Sequence, residues 1–293
     1  APAALGILFF FVYPLLTAVY FSFHQFSVLS TPVYVGMRNY SFALHDPNLQ
    51  KAVENTLWLV VVMVPAQVLF GLGTGMLLVA MRRSASVYRT LFYLPALVPP
   101  VAGTLAFVYV FKPQIGPVDT ILKTIGIDGP GWFTDPDWAK PSLTLLALWG
   151  IGNTMVIFLA ALLDVPAALL EAASLDGANA WQRFRHVTLP TLSPVLVFTT
   201  ITSIIYTLQY FTQAAVAAGA ASGQVTAGGN SMSNNFGFPQ GSTFTYPLWM
   251  YIQGFPDGHL GYANALAVLL FFASFAVIAI VLRRARSFHG ESQ

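Results

Sequence analysis

The sequence predicts an all-α membrane protein, a polytopic bundle of six transmembrane helices. Three observations carry that expectation. Of 293 residues, 56% are hydrophobic and only 8% are charged, against about 25% charged in a soluble globular domain. The mean hydropathy is +0.67. The apolar residues fall in continuous runs of about 20 residues, the length of a spanning helix. The alternating segments of about 10 residues that build a transmembrane barrel are not the pattern.

The six runs lie near residues 2–22, 56–80, 91–111, 143–163, 193–213 and 262–282. Met81-Arg82-Arg83-Ser84 separates the second from the third. The fourth holds polar Asn153 and Thr154 but no charge. The fifth carries Thr199, Thr200, Thr202 and Ser203, hydroxyls that a helix tolerates by bonding them to its own backbone. Residues 1–293 read as one transmembrane domain. Ala1 stands in the place of an initiator Met, which implies that the chain was cut or that a segment precedes it.

Basic residues in flanking loops orient the bundle, because they concentrate on the cytoplasmic side. Eight of the 13 Lys and Arg residues fall on one side: Arg82, Arg83, Arg89, Arg183, Arg185, Arg283, Arg284 and Arg286. The other side has Arg38, Lys51, Lys112, Lys123 and Lys140, together with most of the acidic residues. The Arg-rich side and both termini are therefore expected in the cytoplasm. The outer loops are then 24–55, 112–142 and 214–260. The first has a short amphipathic stretch around Asn39–Val53. The second, rich in Pro, Gly, Asp and Trp, reads as an ordered cap. The Ala/Gly/Ser/Asn composition of 214–245 suits a mobile loop. Trp132, Trp138, Trp249 and Tyr251 fall near the outer edges, where amphipathic rings anchor at the interface.

Several chemistries are excluded by what the chain lacks. There is no Cys, so no disulfide, thiolate metal site or thiol nucleophile. The net charge of +2 is too small to argue for nucleic acid. No Gly-x-x-x-x-Gly-Lys-Ser/Thr phosphate loop, His-Glu-x-x-His pair or Gly-x-Ser-x-Gly elbow occurs. The five His residues lie in loops or near span ends without ligand spacing. No catalytic residue and no metal ligand is predicted. The runs also lack mid-membrane Asp, Glu, Lys and Arg, groups that ion-coupled carriers require.

The most informative segment is the cytoplasmic loop at 164–192. It reads as two short helices with a hinge. Asp164 is expected to cap the first, with Pro166 in its first turn. Ala167–Leu175 is a run of helix formers. Gly177 supplies a left-handed stop. Asn179 is expected to cap the second helix, which places Trp181, Phe184 and Val187 three apart on one face. Pro190 closes it. The apolar knobs have no evident partner within so short a loop; a face of this kind meets a protein partner, or else rests on the lipid interface or on the chain's own spans.

Glu171-Ala172-Ala173, three residues, Gly177, nine residues, Val187, one residue and Leu189-Pro190 resemble the EAA motif of binding-protein-dependent ABC permeases. The family usually has Ile at the place of Val187. The resemblance covers nearly the whole chain. Tyr34-Val35-Gly36-Met37-Arg38-Asn39-Tyr40 and Asn55-Thr56 resemble the first outer loop of the sugar-importing branch. Arg89–Pro95 and Gly261–Ala267 resemble the segments that lead into its third and last core spans. Its Gly-Gly-Pro after the fifth span appears as Gly228-Gly229-Asn230 in a longer stretch.

The resemblance implies a permease subunit whose coupling helices dock into a cleft of a separate ATPase. Glu171 would contact that subunit, with Ala172, Ala173 and Asp176 beside it. Gly177 would permit the turn. Trp181 and Phe184 would fill the cleft, and Leu189-Pro190 would lead into the next span. ATP and Mg would be bound by the ATPase and no cofactor by this chain. The implied partners are nucleotide-binding subunits, a homologous second permease subunit, an extracytoplasmic solute-binding protein, membrane lipid and a sugar. The resemblance places the chain in a bacterial inner membrane and carries substrate contact to Trp149 and Asn153 of the fourth span and to Gln209 and Tyr210 of the fifth. Thr154 and Tyr206 are further candidates from their own neutral polarity, with interhelical bonding the alternative for each. Tyr206 and Tyr210, four apart, would share a helix face. A permease for glycerol phosphate esters or another polar solute, and a membrane scaffold without a pathway, stand as alternatives.

Overall fold

A computed structural model describes residues 2–81, 85–223 and 236–289. Arg82, Arg83 and Gly228-Gly229-Asn230 lie outside the described residues. The chain folds almost wholly into helices. They are α1 (Pro2–Ser22), α2 (Arg38–His45), α3 (Pro47–Ala80), α4 (Ala85–Leu97), α5 (Pro100–Val110), α6 (Pro117–Thr124) and α7 (Pro136–Trp149). There follow α8 (Gly152–Leu163), α9 (Ala167–Leu175), α10 (Ala180–Thr191), α11 (Ser193–Leu208), α12 (Thr212–Ala221), α13 (Tyr246–Gly254) and α14 (Leu260–His289). A two-residue antiparallel hairpin, β1 (His24–Gln25) and β2 (Val33–Tyr34), joins α1 to α2.

Three helices, α1, α3 and α14, are long and apolar enough to cross a membrane alone. The other three expected spans are bent pairs: α4 with α5 by 104°, α7 with α8 by 51°, and α10 with α11 by 68°. The count is six when each pair is one crossing. The bend of α4–α5 follows from Pro95, Pro99 and Pro100, which give the helix ladder no N–H groups. Residues 47–55, expected in an outer loop, belong to α3, and Asn39–Val53 divides between α2 and the start of α3. Of the 214–245 stretch, expected as a mobile loop, residues 224–235 lie outside the described residues, and the described parts are ordered structure. Thr212–Ala221 is helical, and Phe244 and Thr245 are buried.

The chain divides into two units. One comprises the residues up to Leu57 and Leu208–Ile280. Its core gathers Ala43, Leu49, Tyr246, Tyr262 and Leu266, with a second cluster of Ala52, Phe244, Leu248 and Ile252. Polar side chains fasten these elements. The Asn39 amide donates to the carbonyls of Ser22 and His24 at 2.8 and 3.0 Å, which holds the hairpin against α2. The Asn55 amide donates to the Gly241 and Phe244 carbonyls at 2.7 and 3.0 Å. The Tyr246 N–H donates to the Thr56 hydroxyl, and the Tyr246 hydroxyl to the Leu266 carbonyl. Burial raises the Tyr246 phenol above its ordinary pKa, since an apolar surrounding disfavours the phenolate.

The other unit takes in Trp58–Thr207 and the residues from Val281. Its core has one cluster of Leu72, Phe158 and Leu192 and another of Leu78, Met155 and Leu159. α3 and α8 approach closely because Gly71 has no side chain. A Cβ there would lie 2.9 Å from the Thr154 Cγ2. Small residues at such crossings let membrane helices pack backbone to backbone.

Candidate functional site

The two-helix loop forms as α9 and α10. Asp164 does not cap α9. It ends α8, with its own N–H on the Ala160 carbonyl, and Pro166 takes the N-cap position in extended backbone. At the other end, Gly177 adopts φ +79°. The N–H groups of Gly177 and Ala178 satisfy the carbonyls of Ser174 and Ala173 at 3.1 and 2.9 Å. This is the left-handed termination that glycine allows without a Cβ clash. Asn179 caps α10 reciprocally: its Oδ1 accepts the Gln182 N–H at 2.9 Å, and the Gln182 Oε1 accepts the Asn179 N–H at 2.8 Å. The Arg183 guanidinium donates to the Ser174 hydroxyl at 2.8 Å and braces one helix to the other.

The apolar face differs from a simple three-residue spacing. A wide π-turn occupies Phe184–Thr188. Pro190 has no N–H to offer the His186 carbonyl, so a regular α-turn cannot close there. Phe184 turns inward and packs against the Leu72, Phe158 and Leu192 cluster. Trp181 stays 65% exposed with its ring 5.6 Å from that of Phe184. Glu171, Ala172, Asp176 and Pro190 are exposed, Ala173 and Leu189 half-buried. Leu175 is 89% exposed. The outward surface of the loop is thus Glu171, Leu175, Asp176 and Trp181.

The six expected pathway residues fall in both units. Trp149 lines an apolar cavity of about 830 Å³ with Tyr88, Phe92, Phe107 and Phe111. Its ring lies 5.9 Å from that of Phe107. Asn153 is exposed in the first turn of α8, and Thr154 packs on Gly71. Tyr206 is half exposed on α11. Tyr210 does not share its face, because α11 ends at Leu208. Tyr210 is buried, and its carbonyl accepts the Thr245 hydroxyl at 3.0 Å, so a tertiary bond replaces the next helical one.

Gln209 opens onto a cavity of about 670 Å³ lined by Phe211, Tyr251, Phe255, Asn264 and Ser274 among others. The Tyr251 ring lies 5.1 Å from the rings of both Phe211 and Phe255. Every lining residue is uncharged. Tyr251, Phe255 and Asn264 were not predicted as pathway residues. Tyr251 was expected at the interface, and a three-ring ladder drawn from two segments leaves no local spacing signal. Trp249, also expected at the interface, instead donates its indole N–H to Asp46 at 2.8 Å. Among the described residues, no three His, Cys, Asp or Glu side chains cluster as a metal site would require.

A family model described as "Binding-protein-dependent transport system inner membrane component" matches residues 67–287. The chain belongs to that family. It is therefore a membrane-spanning ABC permease. Over 290 residues it is 31% identical to the sulfoquinovosyl glycerol transport system permease protein SmoG of Agrobacterium fabrum, covering 98% of this chain and 89% of that one. It is 30% identical over 298 residues to the arabinooligosaccharides transport system permease protein AraP of Bacillus subtilis, covering 99% and 88%. A solved bacterial ABC transporter that imports the acidic polysaccharide alginate matches in fold, with a TM-score of 0.77 and 18% identity. That match covers 98% of this chain and 93% of the other. The Glu171–Pro190 segment, which lies within the matched residues, sits on the braced α9–α10 pair.

Proposed function

We propose that this permease carries a neutral di- or oligosaccharide delivered by an extracytoplasmic binding protein. The observation that carries the reading is the uncharged cavity at Gln209, Tyr251, Phe255 and Asn264. Aromatic faces stack on the C–H faces of sugar rings, while amide and hydroxyl groups take up sugar hydroxyls. A phosphate ester would call for a cation, and the cavity lining supplies none. The names of SmoG and AraP support a sugar, and that of AraP an uncharged oligosaccharide.

In this reading a separate ATPase subunit, holding ATP and Mg, grips the outward surface of α9–α10 at Glu171, Leu175, Asp176 and Trp181. The chain itself contributes no ATPase chemistry. Because Phe184 is half-buried and packs against Leu72, Phe158 and Leu192, movement of the loop reaches the bundle through that ring. Both termini and the Arg-rich loops face the cytoplasm, and a second permease subunit completes the pathway.

Uptake of labelled oligosaccharides by proteoliposomes holding the full transporter and its binding protein tests the substrate. Tyr251→Ala should cut uptake about tenfold, the effect of losing roughly 1.4 kcal/mol of contact. Uptake at the unsubstituted rate in both Tyr251→Ala and Asn264→Leu would sink the assignment of the sugar route to this cavity.

A further inference from the structure

The segment after α5 reverses at once and is clamped in place. The Gly116 N–H donates to the Lys112 carbonyl at 2.8 Å. The buried Asp119 carboxylate accepts the Gln114 N–H at 2.7 Å and pairs with the Lys123 ammonium at 3.4 Å. α6 therefore sits at the level of the α5 terminus. Aromatic rings mark the same level: Phe111 lies 4.8 Å from Trp132, and Trp132 lies 5.8 Å from Trp138 near the start of α7. Aromatic girdles of this kind collect where a bilayer meets water.

α6 buries Asp119 and half-buries Val118 and Leu122. Its other face, with the flanking turns, presents Ile115, Ile121, Ile125 and Ile127, each between 51% and 65% exposed. Four isoleucines held outward by a clamped helix are not the surface of a loop that only meets water. The apolar exposure also continues that of the span. Leu105 and Tyr109 of α5 face outward, and Ile115 follows just past the turn. We infer that α6 and its flanks form a foot lying in the headgroup–acyl boundary of the bilayer, with these isoleucines in lipid and the exposed Lys112 at phosphate level. Short amphipathic helices bind membranes in this plane by burying one apolar face, and a Lys stem reaches from apolar surface to the headgroups.

The chain has no cysteine, so single labels are clean. Ile121→Cys and, separately, Ile125→Cys are labelled with the environment-sensitive fluorophore NBD in the assembled transporter. Each is reconstituted in phosphatidylcholine–phosphatidylglycerol vesicles, and retained uptake certifies folding. Asp128→Cys serves as the aqueous control. The foot predicts blue-shifted emission at 121 and 125. It also predicts loss of most of the fluorescence with nitroxide lipids labelled at the top of the acyl chain, and less loss with labels at its end. Water-like emission quenched by iodide would overturn it. So would blue-shifted emission untouched by either nitroxide lipid, since that means a protein covers the face.

Discussion

The Asp46 carboxylate accepts the Trp249 indole N–H at 2.8 Å and, on the same oxygen, the Tyr262 hydroxyl at 2.7 Å. Asp46 is buried, and its other oxygen accepts the Asn48 N–H at 2.9 Å. One carboxylate thus joins the start of α3 to α13 and α14. Asp46→Ala removes the acceptor of the buried Tyr262 hydroxyl and of the half-buried Trp249 indole, at about 1–3 kcal/mol each. Thermal unfolding of the purified protein should show a lower midpoint for Asp46→Ala than for Asp46→Asn, which keeps one acceptor. Equal midpoints for the two variants would refute the shared-acceptor role.

Asn55 holds the 236–245 segment through the Gly241 and Phe244 carbonyls. Asn55→Leu should destabilise by about 2 kcal/mol, because the buried Phe244 carbonyl loses the amide donor and the Gly241 carbonyl keeps only the long Phe244 N–H bond. Limited proteolysis should then cut within 236–245, a segment the unsubstituted protein protects.

Gly177 stands at φ +79°. Gly177→Val forces a β-branched side chain into left-handed backbone, at about 1–2 kcal/mol. The effect should appear in coupling rather than in assembly: transport per ATP hydrolysed falls while the complex still co-purifies. Unchanged transport per ATP would argue against a coupling role for this turn.

Gly71→Ala places a methyl against the Thr154 Cγ2 and Phe158. Overpacking of this kind costs about 1–3 kcal/mol. Adding Thr154→Ser removes the opposing methyl and should restore most of the loss. A non-additive double-mutant cycle, measured by thermal shift, is the signature of direct contact.

Local features were legible in the sequence because their causes are local. The Gly177 stop and the Asn179 cap depend on residues within four positions of themselves, and both form as expected. Asp164 misled because two helix ends compete for it, and the C-terminus of α8 takes it. Counting threes puts Phe184 beside Trp181, as it is, but does not report that the ring packs half-buried against Leu72 and Phe158 of distant helices. Tyr210 reads as part of the fifth span's helix, but that helix ends at Leu208 and the Tyr210 carbonyl is held by Thr245 from 35 residues away. The Asp46, Asn55 and Tyr251 contacts join distant segments, and no spacing rule reports on those.

The Asp46 bond also sets an order of events during synthesis. Its partner indole lies 203 residues downstream. At about 5–20 residues per second of chain growth, the carboxylate waits on the order of 10–40 s before Trp249 exists. Through that interval the first 57 residues have no native unit to join, because the remainder begins at Leu208. The nascent N-terminal hairpin must therefore be shielded by the insertion machinery, or by lipid, until the last helices arrive.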